Sequence, residues 1–221
     1  METAEKTLVP TKKYLQTGAH IGARFKTYGM KKFIFKKRKD GLKVLEIEKI
    51  DEKIRAAAKL LSNYKPKDII VVSRKQYGQT PAKKLAEAIG ARALTARFVP
   101  GTFTNPEGKE FLEPKVLISI DSDVDQQAVK EATKIRIPVI SLCSTNNATE
   151  NIDLIIPINN NGRQSLALAC WLIAKEYLKN TGAIKKDDDF KESPESFEHK
   201  VKDEKEQPEA GKEEAAEEDL E

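Results

Sequence analysis

The sequence predicts an α/β fold, a central mostly parallel sheet covered by helices on both faces, and three observations predict it. Short apolar runs rich in β-branched residues recur between residues 69 and 156. Amphipathic stretches at helical spacing lie between them, giving the strand, helix, strand, helix order of an α/β domain. The runs are continuously apolar rather than alternating, as strands buried on both faces require.

The elements follow in chain order. Phe33-Ile34-Phe35, Asp40-Gly41 and Leu42-Lys43-Val44-Leu45 form a small hairpin with a turn, and Phe33 and Phe35 are expected to anchor it in the core. Ile50, Ile54, Ala57, Ala58, Leu61 and Tyr64 follow helical spacing, and Pro66 stops that helix. Ile69-Ile70-Val71-Val72 is a buried strand. Thr80 then reads as an N-cap with Pro81 at the first helical position; Ala82, Leu85, Ala86 and Ile89 form the inner face, and Gly90 ends the helix. A weaker strand spans roughly Ala93 to Phe98. Val116 to Ile120 is the next, followed by Asp125 as the cap of a helix carrying Ala128, Val129 and Ala132. Val139 to Leu142 and Leu154 to Ile156 complete the strands, and Asn159-Asn160-Asn161-Gly162 turns into a last helix over residues 163–180. That helix is apolar on most sides through Leu166, Leu168, Trp171, Leu172, Ile173 and Leu178, so it is expected to be largely buried.

Charge divides the chain. The 221 residues hold 39 Lys+Arg and 35 Asp+Glu, a formal net of +4. Residues 185–221 hold 7 basic and 16 acidic residues, a net of −9, which leaves residues 1–184 at +13. A basic body with an acidic tail points to nucleic acid or another polyanion. Three regions result: a basic N-terminal extension and hairpin packed on the body (1–46), the α/β domain (47–184), and an acidic tail (185–221). The tail holds only Phe190 and Phe197 as aromatics. Its composition cannot offset ordering entropy, so it is expected to be disordered.

Several classes are excluded. No apolar run approaches the roughly 20 residues that span a membrane, and the first residues lack a signal-peptide layout, so a cytoplasmic protein is expected. Cys143 and Cys170 make no disulfide framework, and with His20 and His199 they lack zinc spacing. No metal or cofactor is expected. Residues 73–81 offer a helix N-terminus beside Arg74 and Lys75, a place for a phosphate, but neither a Walker nor a Gly-x-Gly-x-x-Gly pattern. His20, between glycines, is expected to bond to the backbone.

The strongest chemical signal lies in residues 11–43, where eleven Lys and Arg stand against Asp40 alone. Such a segment repels itself without a polyanion nearby. Tyr14, Phe25, Tyr28, Phe33 and Phe35 are interleaved with these charges; aromatic rings can stack on unpaired bases, but a core role is expected for them and the binding role for the charges. The candidate RNA-binding residues are Lys12, Lys13, Arg24, Lys26, Lys31, Lys32, Lys36, Lys37, Arg38, Arg74, Lys75 and Arg97, chosen for charge. A rival reading starts from Asp121-Ser122-Asp123, directly after a strand. Asp-x-Asp there resembles the first motif of haloacid-dehalogenase-like phosphatases, so a magnesium-dependent phosphatase using Asp121 and Asp123, assisted by Ser141, is the enzymatic alternative.

The motifs in order resemble one family, the second protein of the small ribosomal subunit, over nearly all of residues 8–182. Tyr14-Leu15-Gln16-Thr17-Gly18-Ala19-His20-Ile21-Gly22, Met30-Lys31-Lys32-Phe33-Ile34-Phe35 and Asp40-Gly41-Leu42 carry its first signature. Pro114 to Asp121, then Glu131 and Ile137-Pro138, carry its second. Arg97 to Pro106 and the stretch from Asp153 to Asn160 look like the archaeal and eukaryotic branch. Bacterial relatives have a coiled-coil hairpin where only Glu107 to Lys115 stand here. The longer Trp-bearing extension of the eukaryotic branch is missing, so the archaeal type fits best. The resemblance implies a flavodoxin-like three-layer fold and no catalysis. It also implies a structural place in the small subunit, in contact with rRNA and neighbouring ribosomal proteins, monomeric within the ribosome and without a small-molecule substrate. The remaining alternative is an RNA-binding module that works outside ribosomes.

Overall fold

The computed structural model describes residues 7–184, 190 and 192–199. Five parallel strands form the central sheet: β3 (Ile69–Ser73), β4 (Arg92–Thr95), β5 (Val116–Ser119), β6 (Val139–Cys143) and β7 (Leu154–Pro157). Their order is β4-β3-β5-β6-β7. Counted within the sheet this is 2-1-3-4-5, the flavodoxin-like order, with its reversal between β3 and β5.

The side-chain alternation of the strands builds two cores. Ile69, Val71, Ile118, Ile140 and Leu142 face one way, toward α2 (Ile47–Leu61), α3 (Gln76–Ile89) and α5 (Arg163–Asn180). Ile70, Val72, Leu117 and Val139 face the other, toward α4 (Gln126–Lys134) and Phe98 and Phe103 from the loop after β4. Twelve residues of α5 are buried, because it runs between α2 and α3 with the sheet beneath. Among the described residues no helix is long and apolar enough to cross a membrane.

The N-terminal segment starts with α1 (Thr11–Thr17), which rests on α5, and continues into the antiparallel hairpin of β1 (Ile34–Lys37) and β2 (Lys43–Leu45). Gly41, at φ +85, closes the turn where the sequence places it. Only one of its two phenylalanines is a core anchor. Phe33 is buried in a short 3-10 turn before β1, whereas Phe35 is 65% exposed. The irregular register between Ile34 and Lys36 breaks the alternation that would have put both rings on one face.

Three more expectations need correction. Helix α3 begins at Gln76, so Thr80 and Pro81 lie inside it. Gly78 makes the earlier start possible, since a Cβ there would sit 2.5 Å from Ser73 Oγ and 2.8 Å from Ile120 Cγ2. Strand β4 stops at Thr95, because Ala96 (φ 74) turns the chain off the sheet. Finally, Phe190 and residues 192–199, assigned by composition to the disordered tail, pack on the body. The Trp171 indole donates to the Glu192 carbonyl at 2.6 Å, Phe197 is fully buried in a 3-10 turn against α3 and α5, and His199 shares a 2.7 Å hydrogen bond with Thr80. Two aromatics suffice to dock a short charged stretch. The rest of that expectation concerns residues outside those described.

Candidate nucleic-acid interface

The basic segment is held against the carboxyl edge of the sheet by backbone and threonine bonds. Thr145, just past β6, accepts from Ala23 N–H (2.8 Å) at its hydroxyl and donates to the Phe25 carbonyl (3.0 Å). Its own carbonyl accepts from Thr27 N–H (2.9 Å), and the Thr27 hydroxyl donates to the Asn147 carbonyl (2.9 Å). Upstream, the Asn159 side chain donates to the Gly18 carbonyl (3.1 Å) and Asn159 N–H to that of Ala19 (3.0 Å). His20 Nδ1 lies 3.3 Å from the Tyr14 carbonyl, the backbone contact expected of it. Two glycines permit the close approach: a Cβ on Gly22 would lie 2.4 Å from Thr145 Cγ2, and one on Gly29 2.1 Å from Thr149 Oγ1. We expect Gly22→Ala to lower stability by about 1–3 kcal/mol through overpacking, read as a fall in the denaturant midpoint. An unchanged midpoint would remove this account of the docking.

Most of the candidate cations reach solvent. Lys12, Arg24, Lys26, Lys31, Lys32, Lys36, Lys37 and Arg38 are exposed, as are Arg74 and Arg97. Lys31, Lys32, Lys36, Lys37 and Arg38 are brought together by the 3-10 turn and the hairpin. The neighbouring Lys43 has its pKa lowered, first by desolvation and then by the charges of Lys37 and Lys26. Asp40 pairs with Arg38 at 3.4 Å, on the exposed surface.

Other candidates are placed differently. Lys13 is half-buried on α1, with Nζ 5.5 Å from the Trp171 ring. Arg97 follows β4, at the sheet edge away from the strands that hold the basic segment. Lys75 follows β3, where its Nζ is 3.0 Å from Asp121 Oδ2 and also bonds Asn161. Its charge is thus engaged by Asp121 within the fold.

The aromatics interleaved with the cations divide: Tyr14 and Phe33 are buried, while the core role expected of the rings fails for the others. Phe25 is 80% and Tyr28 94% exposed, and with Phe35 they stand among the cations. The outward setting of Phe25 and Tyr28 is legible in their flanking Arg24, Lys26 and Gly29, which leave no apolar periodicity to bury them.

The acidic cluster is a structural fastening. The Asp121 carboxylate accepts from Lys75, from Asn147 Nδ2 (2.8 Å) and from Asp123 N–H (3.2 Å). Asp123 accepts from Asn147 Nδ2 (2.8 Å) and Ala148 N–H (3.1 Å). Asp125 stands at the N-cap position of α4 but its side chain makes no bond to the helix start. It turns inward instead and accepts from Arg74 N–H (2.8 Å), Ser119 Oγ (3.1 Å) and Asp121 N–H (3.3 Å), tying β3 to β5. Every Asp oxygen offered for phosphatase chemistry is already engaged in these loops.

Burial pushes the Asp125 carboxyl up to about 6, against the opposing pull of its three donors. A folded-state value above the unfolded one means the folded chain holds more protons between about pH 4 and 6. Stability therefore declines as pH rises through that window, by about 3 kcal/mol at most if Asp125 titrates alone. Asp125→Asn should flatten this stretch of the stability curve, measured by urea melts at pH 4, 5 and 6. A slope identical to wild type would assign it to other groups.

The profile described as "Ribosomal protein S2" matches residues 14–110 and 108–180. The chain is 47% identical over 209 residues to the small ribosomal subunit protein uS2 of Staphylothermus marinus, covering 91% of this chain and 95% of that one. It is 48% identical over 197 residues to uS2 of Thermoplasma acidophilum (89% and 99%) and 47% identical to that of Thermoplasma volcanium (89% and 99%). These relatives are archaeal, as the short stretch from Glu107 to Lys115 implies. A flavodoxin-like body with a basic segment pinned across its carboxyl edge, matched over about nine-tenths of its length by these relatives, belongs to the ribosomal protein S2 family.

Proposed function

We propose that the chain is a structural, RNA-binding constituent of the small ribosomal subunit and carries no catalytic step of its own. The observation that supports this most is the basic segment itself. Most of its cations stand in solvent with a single acidic residue among them, and they need a polyanion to offset their mutual repulsion. Ribosomal RNA supplies one, and the family membership names the particle. The rigid α/β body presents Arg24, Lys26, Lys31, Lys32, Lys36, Lys37 and Arg38 from its carboxyl edge, with Arg74 nearby. Phosphate and ribose contacts position it, and neighbouring ribosomal proteins take the remaining faces. Its place is then the cytoplasm, as one copy per subunit.

Co-sedimentation of the tagged chain with small subunits through a high-salt gradient tests this. Retention on the subunit is expected. Recovery only in free RNA fractions would favour a module that works outside ribosomes. The phosphatase alternative finds no support in the bonding of Asp121 and Asp123.

A further inference from the structure

The three most exposed large apolar side chains among the described residues are Tyr28, Phe25 and Phe35, and all fall within residues 25–35. Rings left in water at this density mark a binding surface. They are also held in place. Phe25 sits between the Thr145 bonds to Ala23 and its own carbonyl, and Tyr28 sits between the doubly tied Thr27 and the tight Gly29. Met30 and Phe33 are buried and anchor the stretch from below. The backbone under the rings is therefore fixed before any partner arrives, which reduces the ordering cost of binding.

The surroundings favour one kind of partner. Arg24 and Lys26 flank Phe25, Lys31 and Lys32 follow Tyr28, and Lys36 Nζ lies 5.7 Å from the Phe35 ring. Between residues 24 and 37 there is no acidic residue. An apolar protein surface seated on these rings would have to desolvate the cations without neutralising them. A nucleotide offers a flat base to the ring and a phosphate to its cationic neighbour. Paired bases hide their faces inside the stack, so only unpaired ones can accept the ring. We propose that Phe25, Tyr28 and Phe35 are preset stacking platforms for unpaired RNA bases. This rests on the RNA-binding reading above and adds to it that the segment selects single-stranded elements, whereas phosphate contacts alone would hold any RNA.

Three RNAs with equal numbers of phosphates on the probed strand test this: a 12-nucleotide single strand, the same strand with abasic ribose throughout, and the strand in a full duplex. Affinities are measured against salt for wild type, for Phe25→Ala/Tyr28→Ala/Phe35→Ala, and for Phe25→Tyr. The wild type should prefer the base-bearing single strand to the abasic one. The triple variant should lose that preference, with about tenfold weaker binding per ring engaged and an unchanged salt slope. Phe25→Tyr should retain the preference. Equal wild-type binding to base-bearing and abasic strands overturns the proposal while leaving the RNA-binding reading intact. Absence of salt-dependent binding to all three RNAs would overturn both. A triple variant that binds the strands as wild type does but is lost from small subunits would assign the rings to a protein neighbour, and the proposal would fall.

Discussion

Replacing Lys31, Lys32, Lys36 and Lys37 together by Ala should lower the slope of log affinity against log salt by about 3, if each lysine neutralises one phosphate. The same four contacts set the loss in affinity. Between 50 and 200 mM salt they account for a change on the order of 100-fold, so the variant's binding to small-subunit rRNA should be weaker and much less sensitive to salt. The side chains are exposed, and the hairpin beneath them is held by Phe33, Leu45 and the bonds to Thr145, so the fold should survive. Removing positive charge should also relieve crowding, and Lys43 should titrate nearer its ordinary value once Lys37 is gone. The matched control is Lys65→Ala/Lys67→Ala, exposed residues ahead of β3 at the opposite end of the sheet. An equal drop in slope per lysine removed from that control would mean a diffuse charge effect and no defined interface.

The cation cluster was legible because it depends on composition over a short span. A stretch with eleven basic residues between positions 11 and 43 remains basic however the chain folds. The strands were legible for a similar reason: Ile69 to Val72 and Val139 to Leu142 are apolar throughout, so their burial needs no knowledge of neighbours. What escaped was set by contacts between distant residues. Thr80-Pro81 has the local look of a helix start, but Gly78 fits under Ser73 and Ile120 and the helix already starts at Gln76. Asp125 has the local look of a cap, but Arg74 N–H, 51 positions away, draws its carboxylate inward. Glu131 was read only as part of a family motif. It holds Gly101 N–H (2.8 Å) and Phe103 N–H (3.1 Å), closing the loop after β4 onto α4. Local rules failed where one side chain had two possible uses and tertiary structure chose between them.

The same lesson applies to Asp51, which nothing in the sequence singled out and which fastens the basic segment to the body. It lies on the inner side of α2, buried, and accepts a very short hydrogen bond from the Tyr14 hydroxyl and one of 2.9 Å from Leu8 N–H. Burial raises its pKa, while Tyr14, Leu8 and Arg55 act to lower it; the Tyr14 hydroxyl is driven upward by its own burial and by this partner. Asp51→Ala removes the acceptor and leaves a buried hydroxyl and a part-buried amide without it. Two such groups, at about 1–3 kcal/mol each, give an expected loss of about 3–5 kcal/mol. Tyr14→Phe removes a donor and leaves a charged acceptor that still has Leu8 and Arg55, so about 1–2 kcal/mol is expected. Once Asp51 is gone, the Tyr14 hydroxyl is a liability, so Tyr14→Phe added to Asp51→Ala should recover stability and make the pair strongly non-additive. Urea melts of the four proteins measure this cycle. Independent, additive losses would show that the two side chains do not share the bond, and that some other contact holds residues 8–17 to α2.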